Sequence, residues 1–300
     1  MVGFLFAGQG SQYVGMGKDL YESLPEAKFV FDKADKALGF SLSEICFSGN
    51  TEELKLTINA QPAILTATVA SYAAFQKKPL PSFMAGLSLG EYSALIASGA
   101  LNFEDGIRLV RRRAEIMEDA CRKYPGTMAA VLELAPDKLK AVCGSTGAEI
   151  ANLNAPGQTV ISGKKDAVLA AKKMCEEAGA KRVIELEVSG GFHSSLMQEA
   201  SELFRKVLED IPLAEGKIPV ISNYTAKPQT RPEEIRENLV LQLRSSVRWE
   251  ESVRFMLAHG VGEFYEFGPG KVLKGLMRRI DPQVKVTSIE KKADIESLNL

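Results

Sequence analysis

Gly86-Leu87-Ser88-Leu89-Gly90 constrains this chain's fold more than any other stretch. It follows a short apolar run, Phe83-Met84-Ala85, and opens into Glu91-Tyr92-Ser93-Ala94-Leu95-Ile96-Ala97, whose pattern predicts a helix. A serine between two glycines at a strand-to-helix turn is the pattern of a nucleophile elbow. The glycines permit the tight turn that lifts the hydroxyl clear of the backbone. The following helix aims its free N–H groups and the positive end of its dipole at negative charge forming there. The same five residues also occur in ordinary turns, so the catalytic reading rests on the strand before and the helix after.

Around this unit, short β-branched or aromatic runs alternate with longer amphipathic segments, which predicts an α/β fold with a parallel-rich sheet. Strands are expected at Val2–Ala7, Phe83–Gly86, Val220–Ser222, Glu263–Phe267 and Lys285–Ile289. Helices are expected at Pro25–Leu38, Ala63–Phe75, Phe103–Cys121, Leu196–Glu209, Pro232–Leu243 and Trp249–His259. The rhythm changes between them. Met128–Leu134, Ile150–Leu153, Thr159–Ser162 and Arg182–Val188 read as strands, and Pro136–Val142 and Lys165–Ala178 as helices. That βαββαβ order is ferredoxin-like. The expected organisation is a main α/β domain from residues 1–126 and 190–300, with an inserted ferredoxin-like subdomain at 127–189. A cleft between the two is where a ligand is expected.

A chain of 300 residues with 45% apolar content can bury a large core. Lys plus Arg total 37 against 38 for Asp plus Glu, a net charge of −1, which leaves no excess positive field for nucleic acid or an anionic membrane surface. Cys46, Cys121, Cys143 and Cys175 show no C-x-x-C spacing and read as buried, reduced thiols. Met1-Val2-Gly3-Phe4-Leu5-Phe6-Ala7 lacks the basic region of a signal peptide and is too short to span a membrane. The expectation is a cytoplasmic monomer without a metal.

A serine nucleophile needs a base, and the chain has two histidines. His259 precedes Gly260 at the end of a helical pattern, where a helix-terminal role accounts for it. His193, in Ser189-Gly190-Gly191-Phe192-His193-Ser194, falls in a loop where the chain re-enters the main domain and has no evident helical duty. It is the expected base. No Asp or Glu stands out as a third member, and a backbone carbonyl is the other way to orient an imidazole. Oxyanion donors are expected from the backbone N–H of Leu89 and from the loop Gly8-Gln9-Gly10-Ser11-Gln12. That loop is not a nucleotide fingerprint: Tyr13 occupies the last glycine position of G-x-G-x-x-G, and Gln12 and Asp19 break the P-loop.

Helical spacing separates three adjacent arginines. Arg111 and Arg112 have charged neighbours one turn away and read as a solvated face. Arg113 has Leu109, Val110, Ile116 and Met117 at its i−4, i−3, i+3 and i+4 positions, so its guanidinium points inward and needs an anion. An internal salt bridge and capture of a substrate carboxylate both fit.

Taken together, Phe6-Ala7-Gly8-Gln9-Gly10-Ser11-Gln12, the Gly86–Glu91 elbow, Arg113, Gly191-Phe192-His193-Ser194 and Phe267-Gly268-Pro269-Gly270 resemble the malonyl-CoA:acyl-carrier-protein transacylases of bacterial fatty-acid synthesis. The resemblance spans essentially the whole chain and implies an α/β-hydrolase-like domain with the ferredoxin-like insertion. It implies that Ser88 is acylated by malonyl-CoA, with His193 as base, Arg113 on the malonyl carboxylate, and the N–H groups of Gln9 and Leu89 on the oxyanion. The acceptor is then the phosphopantetheine thiol of acyl carrier protein, and no permanently bound cofactor is expected. The family orients its histidine by a main-chain carbonyl, for which Arg248 is the expected source. Phe192 resembles the malonyl-selecting form of its motif, where the ring crowds a 2-methyl branch. Leu87 stands where His is common and Ala7 where Pro is common, so any role of that His is absent here.

The carrier protein is acidic in this family, and Lys271, Lys274, Arg278 and Arg279 follow helical spacing that suits a docking face. An ordinary solvated face fits them equally. A serine esterase or thioesterase, and an acyltransferase serving a polyketide assembly line, are the alternatives the elbow alone permits.

Overall fold

Val2–Phe6 (β1) carries no polar side chain and its last four residues are buried, as a strand covered on both faces requires. The computed structural model describes residues 1–298. The other strands are Phe83–Gly86 (β2), Gly126–Leu132 (β3), Glu149–Ala155 (β4), Gln158–Lys164 (β5), Arg182–Glu185 (β6), Val220–Ile221 (β7), Pro228–Gln229 (β8), Glu263–Phe267 (β9) and Lys285–Ile289 (β10). They form two sheets. The larger runs β10-β9-β1-β2-β7-β8, parallel from β10 to β7 with β8 antiparallel at its edge. The smaller runs β4-β5-β3-β6 and is antiparallel throughout. The expected α/β fold with a parallel-rich sheet is what forms.

Helices cover both faces of the larger sheet. Thr57–Ala74 is apolar nearly all round and correspondingly buried along most of its length. Phe103–Lys123 shows instead one apolar stripe, with Ile107, Leu109, Val110, Ile116 and Met117 inside. The smaller sheet packs its own core, Val131, Leu139, Val142, Ile161 and Val168 among others, against helices Pro136–Thr146 and Lys165–Glu177. The smaller sheet is tied by backbone, through β4, to the loop between helices Pro232–Gln242 and Trp249–Ala258. Val247 N–H donates to Ala151 O at 2.8 Å, Leu153 N–H donates to Val247 O at 2.9 Å, and the Ser246 hydroxyl donates to Ile150 O.

Several expectations are corrected. The helix expected from Ala63 begins at Thr57 and contains Pro62. A proline cannot donate to the carbonyl four residues back, which leaves Ile58 O open. Arg111 Nη1 donates to that oxygen at 2.9 Å. Arg111 is therefore not simply a solvated residue: its side chain is 25% exposed and repairs the helix that Pro62 interrupts. The strand expected to reach Val188 stops at Glu185, and β8 is too short to show any alternation. Among the described residues no helix is long and apolar enough to cross a membrane, and all four cysteines are free and buried.

Candidate active site

The carboxyl ends of β1, β2 and β7 lie side by side, the crevice where open α/β sheets hold ligands. Gln9 follows β1, Ser88 follows β2 and Asn223 follows β7. A cavity of about 490 Å³ opens there, walled on the other side by Met128, Ala130, Asn152 and Val160 of the smaller sheet.

Ser88 sits at φ 51°, in the left-handed region, and helix Gly90–Ser98 begins two residues later. Such a backbone is strained for a residue with a Cβ and persists only where its surroundings hold it. Asn223 supplies the hold: its Oδ1 accepts from Ser88 N–H at 2.5 Å and its Nδ2 donates to Gly86 O at 2.7 Å. The flanking glycines are required by close approach. A Cβ on Gly86 would overlap the Gly90 carbonyl, and one on Gly90 would overlap Phe6 O. Gly90→Ala should therefore lower stability by about 3 kcal/mol or more, the upper range of overpacking, because the clash is with backbone. A thermal melt within 2 °C of the parent would show that the elbow relaxes freely.

His193 also occupies left-handed backbone, at φ 56°. Its Nε2 lies 2.8 Å from Ser88 Oγ. Its Nδ1–H donates to the Gln242 carbonyl at 2.8 Å. A carbonyl can only accept, so this bond fixes the tautomer and leaves the Nε2 lone pair facing the serine hydroxyl. Burial, with the Arg113 charge second, lowers the imidazole to about 4, so it is neutral at neutral pH.

The expected orienting carbonyl of Arg248 is overturned. Arg248 O accepts from the Ser252 N–H and hydroxyl in the first turn of helix Trp249–Ala258. Gln242 instead ends helix Pro232–Gln242, where the last carbonyls have no intrahelical donor. One of those orphan acceptors takes the histidine.

Arg113 is 1% exposed. Its Nη1 donates to Gln61 Oε1 at 2.7 Å, and its Nη2 to Gln242 Oε1 at 3.2 Å and Ser88 Oγ at 3.3 Å. The internal salt bridge that the sequence also allowed is absent among the described residues. The guanidinium has neutral oxygens for partners, its Nε–H has none, and the Tyr92 ring lies 5.3 Å away. A buried cation in this state is a site for an anion.

Among the described residues, the N–H groups of Gln9 and Leu89 donate to no protein acceptor. They lie on the two loops that converge at the serine, so both are available to a developing oxyanion. Phe192 lines the cavity beside His193, as does Leu87 beside Ser88. His259 is elsewhere: it caps helix Trp249–Ala258, with Nδ1 2.7 Å from Phe255 O.

Asn223 and two glutamines of this site escape sequence reasoning. Gln61 Nε2 donates to Gln9 Oε1 at 3.2 Å while its oxygen holds Arg113. Gln242 holds both His193 and Arg113. Neither glutamine belongs to a pattern, and only their burial at 0–1% marks them. Of the expected basic face, Lys271, Arg278 and Arg279 are exposed and Lys274 is half-buried, with Arg279 paired to Glu133 at 3.0 Å.

Residues 3–287 match the acyl transferase domain family. The chain is 47% identical over 301 residues to the malonyl CoA-acyl carrier protein transacylase of Bacillus subtilis strain 168, covering 98% of this chain and 95% of that protein. Among solved structures, an acyl carrier protein S-malonyltransferase from Vibrio cholerae is similar at TM-score 0.96 and 38% identity, covering 99% of each chain. A malonyl-transacylase in complex with its type II PKS acyl-carrier protein is similar at TM-score 0.96 and 38% identity, covering 99% of this chain and 98% of that one.

Proposed function

The chain belongs to the acyl transferase domain family, and on that premise we propose that Ser88 carries a malonyl group from malonyl-CoA to acyl carrier protein. The enzyme is an acyl-carrier-protein S-malonyltransferase, supplying fatty-acid synthesis. The observation that carries the assignment of residues is the buried Arg113, which lacks a carboxylate partner and has one donor 3.3 Å from the serine oxygen.

In the first half-reaction Arg113 takes the free carboxylate of the malonyl group, and the N–H groups of Gln9 and Leu89 donate to the thioester oxygen. Ser88 Oγ attacks the thioester carbon as His193 Nε2 takes its proton. The tetrahedral intermediate collapses, the C–S bond breaks, and His193 returns the proton to the coenzyme A sulfur. In the second half-reaction the phosphopantetheine thiol of the carrier gives its proton to His193 and attacks the malonyl ester, freeing the serine. Each oxyanion donor contributes on the order of 10²–10³ in rate. The cycle is ping-pong and requires no bound cofactor.

The strand order β4-β5-β3-β6, with helices following β3 and β5, supports reading 127–189 as a ferredoxin-like insertion in an α/β-hydrolase-like domain. Lys271, Lys274 and Arg278 remain the proposed docking cations for an acidic carrier, on a protein taken to act as a cytoplasmic monomer. Arg279 contributes less to that face, since Glu133 already neutralises it. Phe192 stands against the acyl chain as the proposed barrier to a branch.

Intact-protein mass spectrometry tests the reading. Mixed with malonyl-CoA and no acceptor, the protein should gain one malonyl group that persists until a pantetheine thiol is added. Rapid release of free malonate instead would make the enzyme a thioesterase.

A further inference from the structure

Glu91 opens helix Gly90–Ser98, three residues beyond the nucleophile, and is fully buried. Three groups address its carboxylate, and all are donors. Gln229 Nε2 reaches Oε1 at 2.6 Å, while Asn223 N–H and Gln242 Nε2 reach Oε2 at 3.1 and 2.7 Å. The amide orientations are fixed from outside. Gln229 Oε1 accepts from Asn238 Nδ2, and Gln242 Oε1 accepts from Arg113, so neither glutamine can turn its oxygen toward Glu91. A carboxylic acid would present an O–H to a donor, and only the anion satisfies the arrangement.

Two of these residues, Asn223 and Gln242, lead to every reacting group. Asn223 bonds the Ser88 N–H and the Gly86 carbonyl that precedes it. Gln242 gives its carbonyl to His193, its Oε1 to Arg113 and its Nε2 also to Ser88 O at 3.0 Å. Glu91 is thus linked to Arg113 through one amide rather than by contact. Its charge offsets the buried guanidinium, whose own donors meet only neutral oxygens and whose Nε–H has no partner.

We propose that Glu91 is the positioning residue of this site, an anion that holds Asn223 and Gln242 and thereby fixes Ser88, His193 and Arg113 together. The proposal rests on the transfer reading above, and it makes the reaction depend on an ionisation remote from the reacting atoms. Burial raises the Glu91 carboxyl to about 7, against the opposing effect of its three donors and Arg113. Arg113 from helix Phe103–Lys123 and the neutral Tyr92 on its own helix are the titratable groups around it, the other neighbours being amides. Burial holds the His193 imidazole well below its usual range, so a loss of activity on mild acidification is expected to come from Glu91. Protonating it puts an O–H against the Asn223 or Gln amide donors and releases Gln242.

The test is the single-turnover rate constant for malonyl adduct formation, read by quenched mass spectrometry between about pH 4.5 and 8.5. A rate constant does not change when only the folded fraction falls, so a merely structural role leaves it unmoved. Glu91→Gln should slow the reaction at neutral pH by about tenfold or more and shift the acid limb down by about one pH unit or more. Gln229→Met removes one donor to the anion, and its side chain touches neither Ser88, His193 nor Arg113 among the described residues. It should move the acid limb up by about one pH unit. Opposite shifts support the proposal, and superimposable profiles overturn it. If Glu91→Gln does not fold, the Gln229→Met profile decides alone. A parent enzyme that forms no adduct at any pH would defeat the transfer reading instead.

Discussion

Ser88→Ala should abolish the malonyl adduct and reduce malonyl transfer on the order of 10⁴-fold or more. The elbow itself should survive, because Asn223 bonds the backbone N–H of residue 88 rather than its side chain. His193 keeps its bond to the Gln242 carbonyl, and Arg113 keeps Gln61 and Gln242. The loss therefore reports the missing oxygen and not a collapsed site. Intact mass after incubation with malonyl-CoA is the measurement, with a thermal melt alongside. An adduct of undiminished yield on the alanine protein would place the acyl group on another residue.

The second large effect concerns acyl choice. Arg113→Ala should cost malonyl transfer about 10²–10³-fold while acetyl transfer falls by about tenfold or less. Truncating one member of a buried, hydrogen-bonded charge pair costs about 2–5 kcal/mol, and each 1.4 kcal/mol is a factor of ten. The acetyl group has no carboxylate to lose. Its smaller decline comes from Gln61 and Gln242, whose oxygens lose their donor. Arg113→Lys should recover only part of the malonyl rate, since an ammonium cannot reproduce the planar fork that spans two acceptors. Competition between malonyl-CoA and acetyl-CoA measures the ratio directly. Equal losses for the two acyl groups would make Arg113 a structural residue.

What the sequence made legible follows from periodicity and scarcity. Arg113 was separable from Arg111 and Arg112 because its helical neighbours are all apolar, and it is indeed the buried one. His193 was separable because only two histidines exist and the other ends a helix. The central parallel strands β1 and β2 read clearly because burial on both faces leaves no polar alternation. What stayed hidden depends on tertiary neighbours. Gln242 orients the histidine through a carbonyl that every residue possesses, which a helix end happens to place beside the imidazole. Arg248 was the wrong source for the same reason: its carbonyl had already been taken by the turn it starts. Pro62 looked like a boundary until Arg111, 49 positions later, supplied the missing donor.

The seam at Val247 has a mechanical consequence. Its N–H and its carbonyl are both bonded to β4, and Ser246 adds a third attachment to the same strand. Val247 belongs in turn to a stretch that lies between the histidine's carbonyl and helix Trp249–Ala258. Parting the two walls of the cleft would tear backbone bonds and pull on the segment whose Gln242 carbonyl holds His193. The long flexible partner here is the pantetheine arm, not the enzyme. Catalysis then resembles a plug entering a rigid socket, and turnover is expected to respond to the length and stiffness of the arm far more than to solvent viscosity acting on the protein.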